Sequence, residues 1–278
     1  MKKVWIVGAG GHVGSALKEM LDCMKYKLYL TDINEVDVTD RNIVHRYITN
    51  TRPDVIINCA GITDIDICEQ YPDKAYAVNA IGPRNLAVEA QSIEAKLIQL
   101  STDDVFDAVQ ERPYNEFDSV HPKTMYGKSK YAGEKFITDL SNRYVIIRSS
   151  WVYGTGKDFV NTVLEAVGKK SELEVSVNSY ASPTSAKELA KVVMQFIEND
   201  CFGIYHAVCK GSCSRYEFAL EILKNADKMD QIVIKPVETE KGSYSVLDNM
   251  MLRIDGLTEP CEWKMALKEH IAKTGGLV

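Results

Sequence analysis

Two side chains that could move a proton stand four residues apart, within the segment YGKSK at 126–130. On a helix, residues at this spacing project from one face, so the phenol of Tyr126 and the ammonium of Lys130 would lie together. A phenol can give a proton to a carbonyl oxygen while a hydride reaches the carbonyl carbon, and a nearby ammonium favours the phenolate that remains. The pair therefore predicts keto reduction, with Tyr126 and Lys130 as catalytic residues.

A second tyrosine and lysine, Tyr131 and Lys135, have the same spacing. Five residues of helix rotate a side chain by about 140°, so the two pairs cannot face one cleft. Tyr126 lies near the predicted start of the helix, after a loop that contains Pro122, whereas Tyr131 lies a turn further in. We therefore assign the chemistry to Tyr126 and Lys130.

A hydroxyl follows the fourth predicted strand, which runs from Lys96 to Ser101. Thr102 would stand at the carboxyl edge of a parallel sheet, where ligands bind in such folds. Its hydroxyl could hold the carbonyl group of a substrate. Thr102 is therefore the third predicted catalytic residue and a predicted substrate contact.

A glycine-rich turn, GAGGHVG at 8–14, joins the predicted strand Lys3 to Val7 to a helical pattern. Glycines at such a junction allow backbone angles that a Cβ opposes, and they let a pyrophosphate approach the amides of a helix N-terminus. This context favours a dinucleotide site over a plain glycine-rich connector. The predicted cofactor contacts in the turn are Gly8, Gly11, His12, Val13 and Gly14.

Asp32 ends the second predicted strand, 18 residues after Gly14. A carboxylate there could accept hydrogen bonds from the adenosine ribose and would repel a 2′-phosphate. Because residue 33 is isoleucine and not arginine or lysine, the sequence favours NADH over NADPH. The alternative is a turn-forming aspartate. Further predicted cofactor contacts are Asp37, Val38, Cys59, Ala60, Gly61 and Thr63, together with Tyr126 and Lys130.

Strand-like apolar runs alternate with amphipathic helical patterns through the first two-thirds of the 278 residues. This alternation predicts an α/β fold, a Rossmann-type doubly wound parallel sheet. We expect residues 1–150 to form an NAD(P)-binding domain, completed by a strand near 174–177. Residues 151–278 would mainly form a smaller substrate-binding lobe packed on the first, with a strand near 203–208 and Ser214 as the N-cap of a helix over 214–226.

Charge and composition narrow the kinds of partner. A net charge of −6 and a pI near 5.5 argue against nucleic-acid binding and favour a small-molecule substrate. The sequence has no apolar run of about 18 residues and no signal-peptide pattern at its start, so we expect a cytoplasmic protein without membrane contact. A homodimer is the default expectation for an enzyme of this kind.

The cysteines favour neither disulfides nor a metal site. Seven cysteines form an odd set without a CxxC pair. His206, Cys209 and Cys213 could be imagined as zinc ligands, but a fourth ligand is missing. We therefore expect no metal.

Several segments resemble the dTDP-4-dehydrorhamnose reductase family of extended short-chain dehydrogenase/reductases. They are RPDVIIN at 52–58, VNAIGP at 78–83, STD at 101–103, YGKSK at 126–130, RSSWVYG at 148–154 and YSVLDN at 244–249. The resemblance implies that Tyr126 donates the proton, that Lys130 supports it and the ribose, and that Thr102 polarises the carbonyl. It also implies that Trp151 contacts the sugar and that Asp103 lies near it. The implied reaction is NAD(P)H-dependent reduction of the C4 ketone of a nucleotide-linked deoxy sugar, dTDP-4-dehydro-L-rhamnose to dTDP-L-rhamnose.

Departures from the family pattern fall where the sugar nucleotide would bind. Asp104 replaces the aromatic residue of STDYVF, and Ile67 replaces the final lysine of AAHTAVDK. Asn178 and Ser179 stand where the family has DQ, and Lys241-Gly242 where it has Arg-Pro. They represent either altered specificity or tolerated change. Two other functions therefore stay open: a related sugar-nucleotide epimerase or reductase, and a non-catalytic NAD(P)-binding regulatory subunit, such as the β subunit of methionine adenosyltransferase.

Overall fold

A computed structural model describes residues 1–240 and 242–274. The strands are β1 (Lys2–Val7), β2 (Tyr26–Thr31), β3 (Val55–Asn58), β4 (Lys96–Thr102), β5 (Tyr144–Ser149), β6 (Val152–Tyr153), β7 (Glu172–Ser176), β8 (Ser179–Ala181), β9 (Thr184–Ser185), β10 (Gly203–His206), β11 (Cys213–Ser214), β12 (Val233–Val237) and β13 (Ser243–Tyr244).

The α-helices are α1 (His12–Met20), α2 (Arg41–Thr51), α3 (Ile65–Gln70), α4 (Pro72–Tyr76), α5 (Gly82–Ser92), α6 (Met125–Leu140), α7 (Phe159–Ala166), α8 (Ala186–Glu198), α9 (Arg215–Asn225), α10 (Met250–Ile254) and α11 (Trp263–Thr274). A π-helical segment, Ala77–Ile81, separates α4 from α5. Within the described residues, no helix is long and apolar enough to cross a membrane.

Six parallel strands form the central sheet in the order β10-β5-β4-β3-β1-β2. Because the strands are parallel, their carboxyl ends meet at one edge, and the chain changes direction of winding between β1 and β3. The residues of β3 are all buried, as expected for a central strand covered on both faces. The predicted doubly wound α/β fold is confirmed.

Apolar clusters cover both faces of this sheet. One includes Leu17 of α1 with Val193 and Phe196 of α8. The other includes Val44 of α2 and Leu86 of α5. The burial of these side chains holds the helices to the sheet and fixes the edge on which the strands end.

The prediction that a strand near 174–177 completes the central sheet is wrong. Strand β7 pairs with β12 in a separate two-stranded sheet, and only Val175 of its five residues is buried. The sixth strand is β10, which pairs with β5 in parallel register, Gly203 opposite Val145. A strand of a covered parallel sheet has to be apolar on both faces, and the half-exposed β7 does not meet that requirement.

A third apolar cluster lies outside the sheet and is built from α7, α9 and α11, with Phe218 and Trp263 among its buried side chains. Helix α9 begins at a capping box. The Ser214 hydroxyl accepts a hydrogen bond from the Glu217 amide (3.1 Å), and the Glu217 carboxylate accepts one from the Ser214 amide (2.7 Å). The predicted N-cap is thus confirmed.

Candidate active site

The glycine turn after β1 is closed by direct backbone contacts. Gly8 has a φ of +74°, and a Cβ added to it would lie 2.8 Å from the amide nitrogen of Ala60. A Cβ on Gly14 would lie 2.3 Å from the carbonyl oxygen of Gly8. These positions admit only glycine, so the turn presents bare backbone at the start of α1, as a pyrophosphate requires.

Asp32 lies at the end of β2 and holds this turn. Its Oδ2 atom accepts a hydrogen bond from the Gly10 amide at 3.0 Å, and its own amide donates to the Glu35 carboxylate at 2.8 Å. Two carboxylates therefore stand at the end of β2, where an adenosine ribose would lie. Asp37 is turned toward Thr39, whose amide and hydroxyl both donate to it, and Val38 is buried with its carbonyl bonded to Asn85.

The segment after β3 is positioned by asparagines. Asn58 accepts a hydrogen bond from the Ala60 amide at 3.1 Å, and Asn79 exchanges hydrogen bonds with the amide and carbonyl of Ile62, both at 2.9 Å. Gly61 lies between Asn79 and Lys130, and Thr63 is exposed just before α3. Burial raises the pKa of Cys59 to about 12, so its thiol stays protonated at neutral pH.

His12 and Val13 begin α1 but point in different directions. The Nδ1 atom of His12 lies 2.6 Å from the carbonyl oxygen of Thr155, which joins the glycine turn to the loop after β6. Val13 is buried in the apolar cluster shared by α1 and α8. A ligand could therefore reach the backbone of Val13 but not its side chain.

Thr102 and Tyr126 come together at the carboxyl edge of the sheet. Thr102 ends β4, and Tyr126 is the second residue of α6, whose N-cap Thr124 accepts a hydrogen bond from the Gly127 amide at 2.9 Å. Burial raises the pKa of the Tyr126 phenol, while hydrogen bonding with Thr102 lowers it. The phenol is therefore protonated at neutral pH, in the form that can donate a proton.

Lys130 lies one helical turn after Tyr126 and is buried. Its Nζ atom donates to the carbonyl oxygen of Leu100 at 2.6 Å, two residues before Thr102. Burial lowers the pKa of Lys130 to about 8, and attraction to Glu134 opposes this shift. The ammonium is thus confined between α6 and β4, close to the backbone of Gly61.

The second tyrosine–lysine pair faces elsewhere. Tyr131 packs against the apolar cluster of Val105, Phe106 and Tyr114, and Lys135 is exposed. The helix rotation expected from the sequence therefore separates the two pairs, and only Tyr126 and Lys130 approach Thr102.

Two carboxylates follow Thr102. Asp103 is buried and accepts hydrogen bonds from the hydroxyls of Thr102 (3.1 Å) and Ser150 (2.9 Å), and burial raises its pKa. Burial and the charge of Asp103 raise the pKa of Asp104 to about 7. Asp103 is thus occupied by protein hydroxyls, whereas Asp104 has one weak contact, with the Thr124 hydroxyl at 3.4 Å.

Trp151 follows β5 with a φ of +42°, a left-handed conformation that is costly for a tryptophan. Its carbonyl accepts a hydrogen bond from the Thr184 amide at 3.3 Å, and its ring is covered by the guanidinium of Arg215, whose Cζ lies 3.5 Å from the ring centroid. Backbone strain of this kind is concentrated at binding sites, where the surrounding structure maintains it.

Sequence reasoning missed several residues of the site. Glu134 and Arg148 form a buried ion pair, 2.7 Å apart and each 2 % exposed. Glu134 also accepts from the hydroxyl of Ser101, next to Thr102, at 2.5 Å. The spacing of Glu134 four residues after Lys130 was the available signal. Asn79 lies within VNAIGP, one of the segments that resemble the family, and no pattern indicated Arg215.

The residues that depart from the family pattern lie in three places in the structure. Asp104 lies in the site, and Ile67 is exposed on α3. Asn178 donates to the Thr239 carbonyl at 2.9 Å and Ser179 pairs with Ser243 in β8 and β13, so they shape one loop region together. Gly242 lies against Asn178, and Lys241 lies outside the described residues.

The three side chains considered as metal ligands do not form a set. His206 approaches the backbone carbonyls of Tyr114 and Asp248 through Nδ1, whereas Cys209 and Cys213 are buried in the α7–α9–α11 cluster. Among residues 1–240 and 242–274, no three His, Cys, Asp or Glu side chains lie close enough to hold a metal ion.

Comparisons with known proteins identify the family of this chain. The family model described as RmlD substrate binding domain matches residues 1–275. The chain is 36% identical over 277 residues to the spore coat polysaccharide biosynthesis protein SpsK of Bacillus subtilis, covering 98% of this chain and 97% of SpsK.

Two solved structures share the fold over nearly the whole chain. A dTDP-4-dehydrorhamnose reductase from Clostridium acetobutylicum superposes with a TM-score of 0.95 at 38% identity, covering 98% of this chain and 99% of the other. One from Bacillus anthracis, in complex with NADP, has a TM-score of 0.95 at 36% identity, covering 99% and 100%. The chain therefore belongs to the dTDP-4-dehydrorhamnose reductase family, whose model is the RmlD substrate binding domain.

Proposed function

We propose that this protein uses NAD(P)H to reduce the 4-keto group of a dTDP-linked deoxy sugar, converting dTDP-4-dehydro-L-rhamnose to dTDP-L-rhamnose. The observation that carries this proposal is the convergence of Thr102, Tyr126 and Lys130 at the carboxyl edge of the sheet, in a chain of this family. The predicted cytoplasmic location and homodimeric state are part of the proposal.

The glycine turn fits a dinucleotide. A Cβ at Gly8 or Gly14 would meet backbone atoms, so the turn keeps an open run of amides at the start of α1. Gly8, Gly11 and the backbone of Val13 and Gly14 would hold the pyrophosphate, with His12 beside them and Asp32 on the ribose. The segments containing Asp37, Val38, Cys59, Ala60, Gly61 and Thr63 would border the rest. When bound, the reduced nicotinamide supplies a hydride.

Tyr126 is the proposed proton donor. Its phenol is buried and protonated, and it lies beside the hydroxyl of Thr102. A carbonyl oxygen held by these two groups gains a proton from Tyr126 as the carbonyl becomes an alcohol. The phenolate left behind is negatively charged, and a negative charge in a buried site needs a nearby cation.

Lys130 is the cation in position to do this. It lies one helical turn from Tyr126, and its contact with the Leu100 carbonyl fixes its direction. We assign it the support of the phenolate and of the nicotinamide ribose. The Thr102 hydroxyl donates to Asp103 at 3.1 Å, and it would redirect this single proton to the substrate carbonyl in order to polarise it.

The sugar would lie against Trp151. Trp151 follows β5 in a left-handed backbone conformation, and Ser150 directly before it donates a hydrogen bond to Asp103 at 2.9 Å. We propose that residues 151–278 contribute mainly to substrate binding, although α8 and β10 from this part belong to the sheet. Asp103 and Trp151 are the proposed substrate-binding residues with Thr102.

NADH is the proposed preferred cofactor. The carboxylates of Asp32 and Glu35 stand together at the end of β2, and both would repel a 2′-phosphate. The B. anthracis relative is in complex with NADP, so the preference of this chain needs a direct comparison. The ratio of kcat/KM for NADH and NADPH with one keto sugar decides it. A ratio in favour of NADPH would contradict the proposal.

The experiment that tests the function is oxidation of NADH and NADPH by the purified protein with freshly generated dTDP-4-dehydro-L-rhamnose, compared with UDP- and GDP-linked keto sugars. Stoichiometric oxidation with the dTDP sugar and formation of dTDP-L-rhamnose are expected. Conversion without net NADH consumption would identify an epimerase instead, since an epimerase returns its hydride. Tight NADH binding without turnover of any keto sugar would identify a regulatory subunit.

A further inference from the structure

Arg215 is the first residue of α9, directly after the capping residue Ser214. The capping box fixes the backbone at this point, and contacts with aromatic rings orient the arginine side chain. Its guanidinium lies over the ring of Trp151, 3.5 Å from Cζ to the centroid, and 4.7 Å from the centroid of Phe159. Arg215 thus reaches from α9 to the residue proposed to contact the sugar.

The guanidinium forms no hydrogen bond and no ion pair with any residue in the ranges 1–240 and 242–274. The stacked rings contact only its faces, so the five N–H donors at its edge are not used by the protein. Arg215 is half-buried, and this partial removal from water lowers the pKa of its guanidinium to about 10. Such a group is suited to receive acceptors from a ligand.

The charges around Arg215 indicate where that ligand lies. Attraction to Asp103 and Asp104 opposes the effect of burial on the pKa of Arg215, so the carboxylates that follow Thr102 lie within electrostatic range of the guanidinium. It is not within ion-pair distance of either one. Arg215 and its stacking partner Trp151 therefore lie on the same side of the molecule as the proposed reaction centre.

We propose that Arg215 is a substrate-binding residue that binds the diphosphate of the sugar nucleotide. The inference rests on the proposed function, because that function supplies a substrate whose sugar and base are neutral and whose diphosphate alone carries anionic oxygens. A planar guanidinium can donate two parallel hydrogen bonds to such oxygens. Stacking on Trp151 and Phe159 fixes the plane of the fork in advance, which reduces the entropy lost on binding.

The test is calorimetric binding of free dTDP, UDP and thymidine to the wild-type protein and to Arg215→Gln and Arg215→Lys. For the nucleoside diphosphate that the wild-type protein binds, we expect Arg215→Gln to raise the Kd by about tenfold or more. The Kd of Arg215→Lys should lie between those of wild type and Arg215→Gln, because lysine keeps the charge but cannot donate two parallel hydrogen bonds. The affinities for thymidine and NADH should change less than about twofold. Lys27→Gln is the matched control, since Lys27 also lies over an aromatic ring, that of Tyr29, at 5.4 Å.

An unchanged Kd for the diphosphate in Arg215→Gln would overturn the proposal. So would a wild-type protein that reduces the keto sugar but binds no free nucleoside diphosphate, and that result would leave the reductase function intact. If the protein lacks turnover but Arg215→Gln still weakens dTDP binding, the diphosphate assignment stands and the proposed reaction fails. NADH affinity and thermal melting confirm that each variant is folded, and Arg215→Lys supplies the comparison if Arg215→Gln is not.

Discussion

The Nζ atom of Lys130 lies 2.6 Å from the carbonyl oxygen of Leu100. This hydrogen bond joins α6 to β4 two residues before Thr102, so it holds together the two elements that carry the proposed catalytic groups. Tyr126 lies one turn earlier on the same helix. The position of its phenol relative to Thr102 is therefore set by the lysine as well as by the packing of the helix.

Tyr126→Phe removes the proposed proton donor and leaves the glycine turn untouched. We expect kcat to fall by about 10²-fold to 10⁴-fold, the range for general acid catalysis, with little change in the Kd for NADH. Steady-state kinetics and NADH titration measure the two quantities. Tyr131→Phe is the control, because that ring packs in an apolar cluster away from Thr102. A fully active Tyr126→Phe protein would disprove the assignment.

The rate should fall as pH rises through the pKa of Lys130. Burial lowers this pKa to about 8, and above it the neutral amine no longer stabilises the phenolate that forms during reduction. The pH profile of kcat with saturating NADH measures the effect. Lys130→Arg keeps the charge at all these pH values, so any activity it retains should lack this alkaline limb. The same limb in Lys130→Arg would assign it to another group.

The lowered pKa of Lys130 also leads to a prediction about stability. Whereas the rate should fall as pH rises, the free energy of unfolding should increase. Because the folded-state pKa of about 8 lies below the ordinary lysine value of 10.5, the unfolded chain binds the proton more tightly between these values. The free energy of unfolding should therefore gain about 3 kcal/mol from this group as pH rises from 8 to 10.5. Urea unfolding of wild type and Lys130→Met across this pH range isolates the contribution of Lys130. A difference in the free energy of unfolding between the two proteins that does not change with pH would refute the prediction.

The ion pair of Glu134 and Arg148 should be important for stability. Both side chains are 2 % exposed, so Glu134→Gln leaves a buried guanidinium without its countercharge, at a cost of about 3–5 kcal/mol. The double variant Glu134→Leu with Arg148→Met removes both charges and should lose less than Glu134→Gln alone. Denaturant unfolding measures each loss. Glu19→Gln, which breaks the exposed pair with Lys273, should change stability by no more than about 0.5 kcal/mol.

Gly8→Ala should weaken NADH binding by at least about tenfold, because backbone strain and a clash with the Ala60 amide would displace the turn. Gly168 offers a matched control, since its φ of +75° is nearly that of Gly8 (+74°) but nothing lies within 4 Å of an added Cβ. Gly168→Ala should cost only about 1–2 kcal/mol of stability and leave NADH binding unchanged. Equal effects of both variants on NADH affinity would show that the contact with Ala60 is unimportant.

Much of the fold can be predicted from the sequence because its information is local. Strands buried on both faces are continuous apolar runs, and the glycine turn needs residues that no other amino acid can replace. The rotation of a helix was sufficient to separate Tyr126 from Tyr131. These features depend on a few neighbouring residues, and the structure has them where the sequence places them.

Pairings between distant segments could not be obtained in this way. Strands β7 and β10 both carry apolar residues, and only the complete packing decides which of them joins β5. The hydroxyl that donates to Asp103 from Ser150, and the guanidinium of Arg215 over Trp151, bring together residues far apart in sequence. A single sequence has no periodicity that reports such contacts.

Strand β10 and helix α8 come late in the chain, yet they cover the edge of β5 and the apolar face of α1. When only the first 150 residues have left the ribosome during synthesis, the edge of β5 and the apolar face of α1 are both exposed. An unpaired edge and an uncovered apolar face are what chaperones recognise and what aggregation uses. The sheet of the nascent chain therefore cannot close before residue 206 has emerged, and a chain truncated after residue 150 would keep both surfaces exposed permanently.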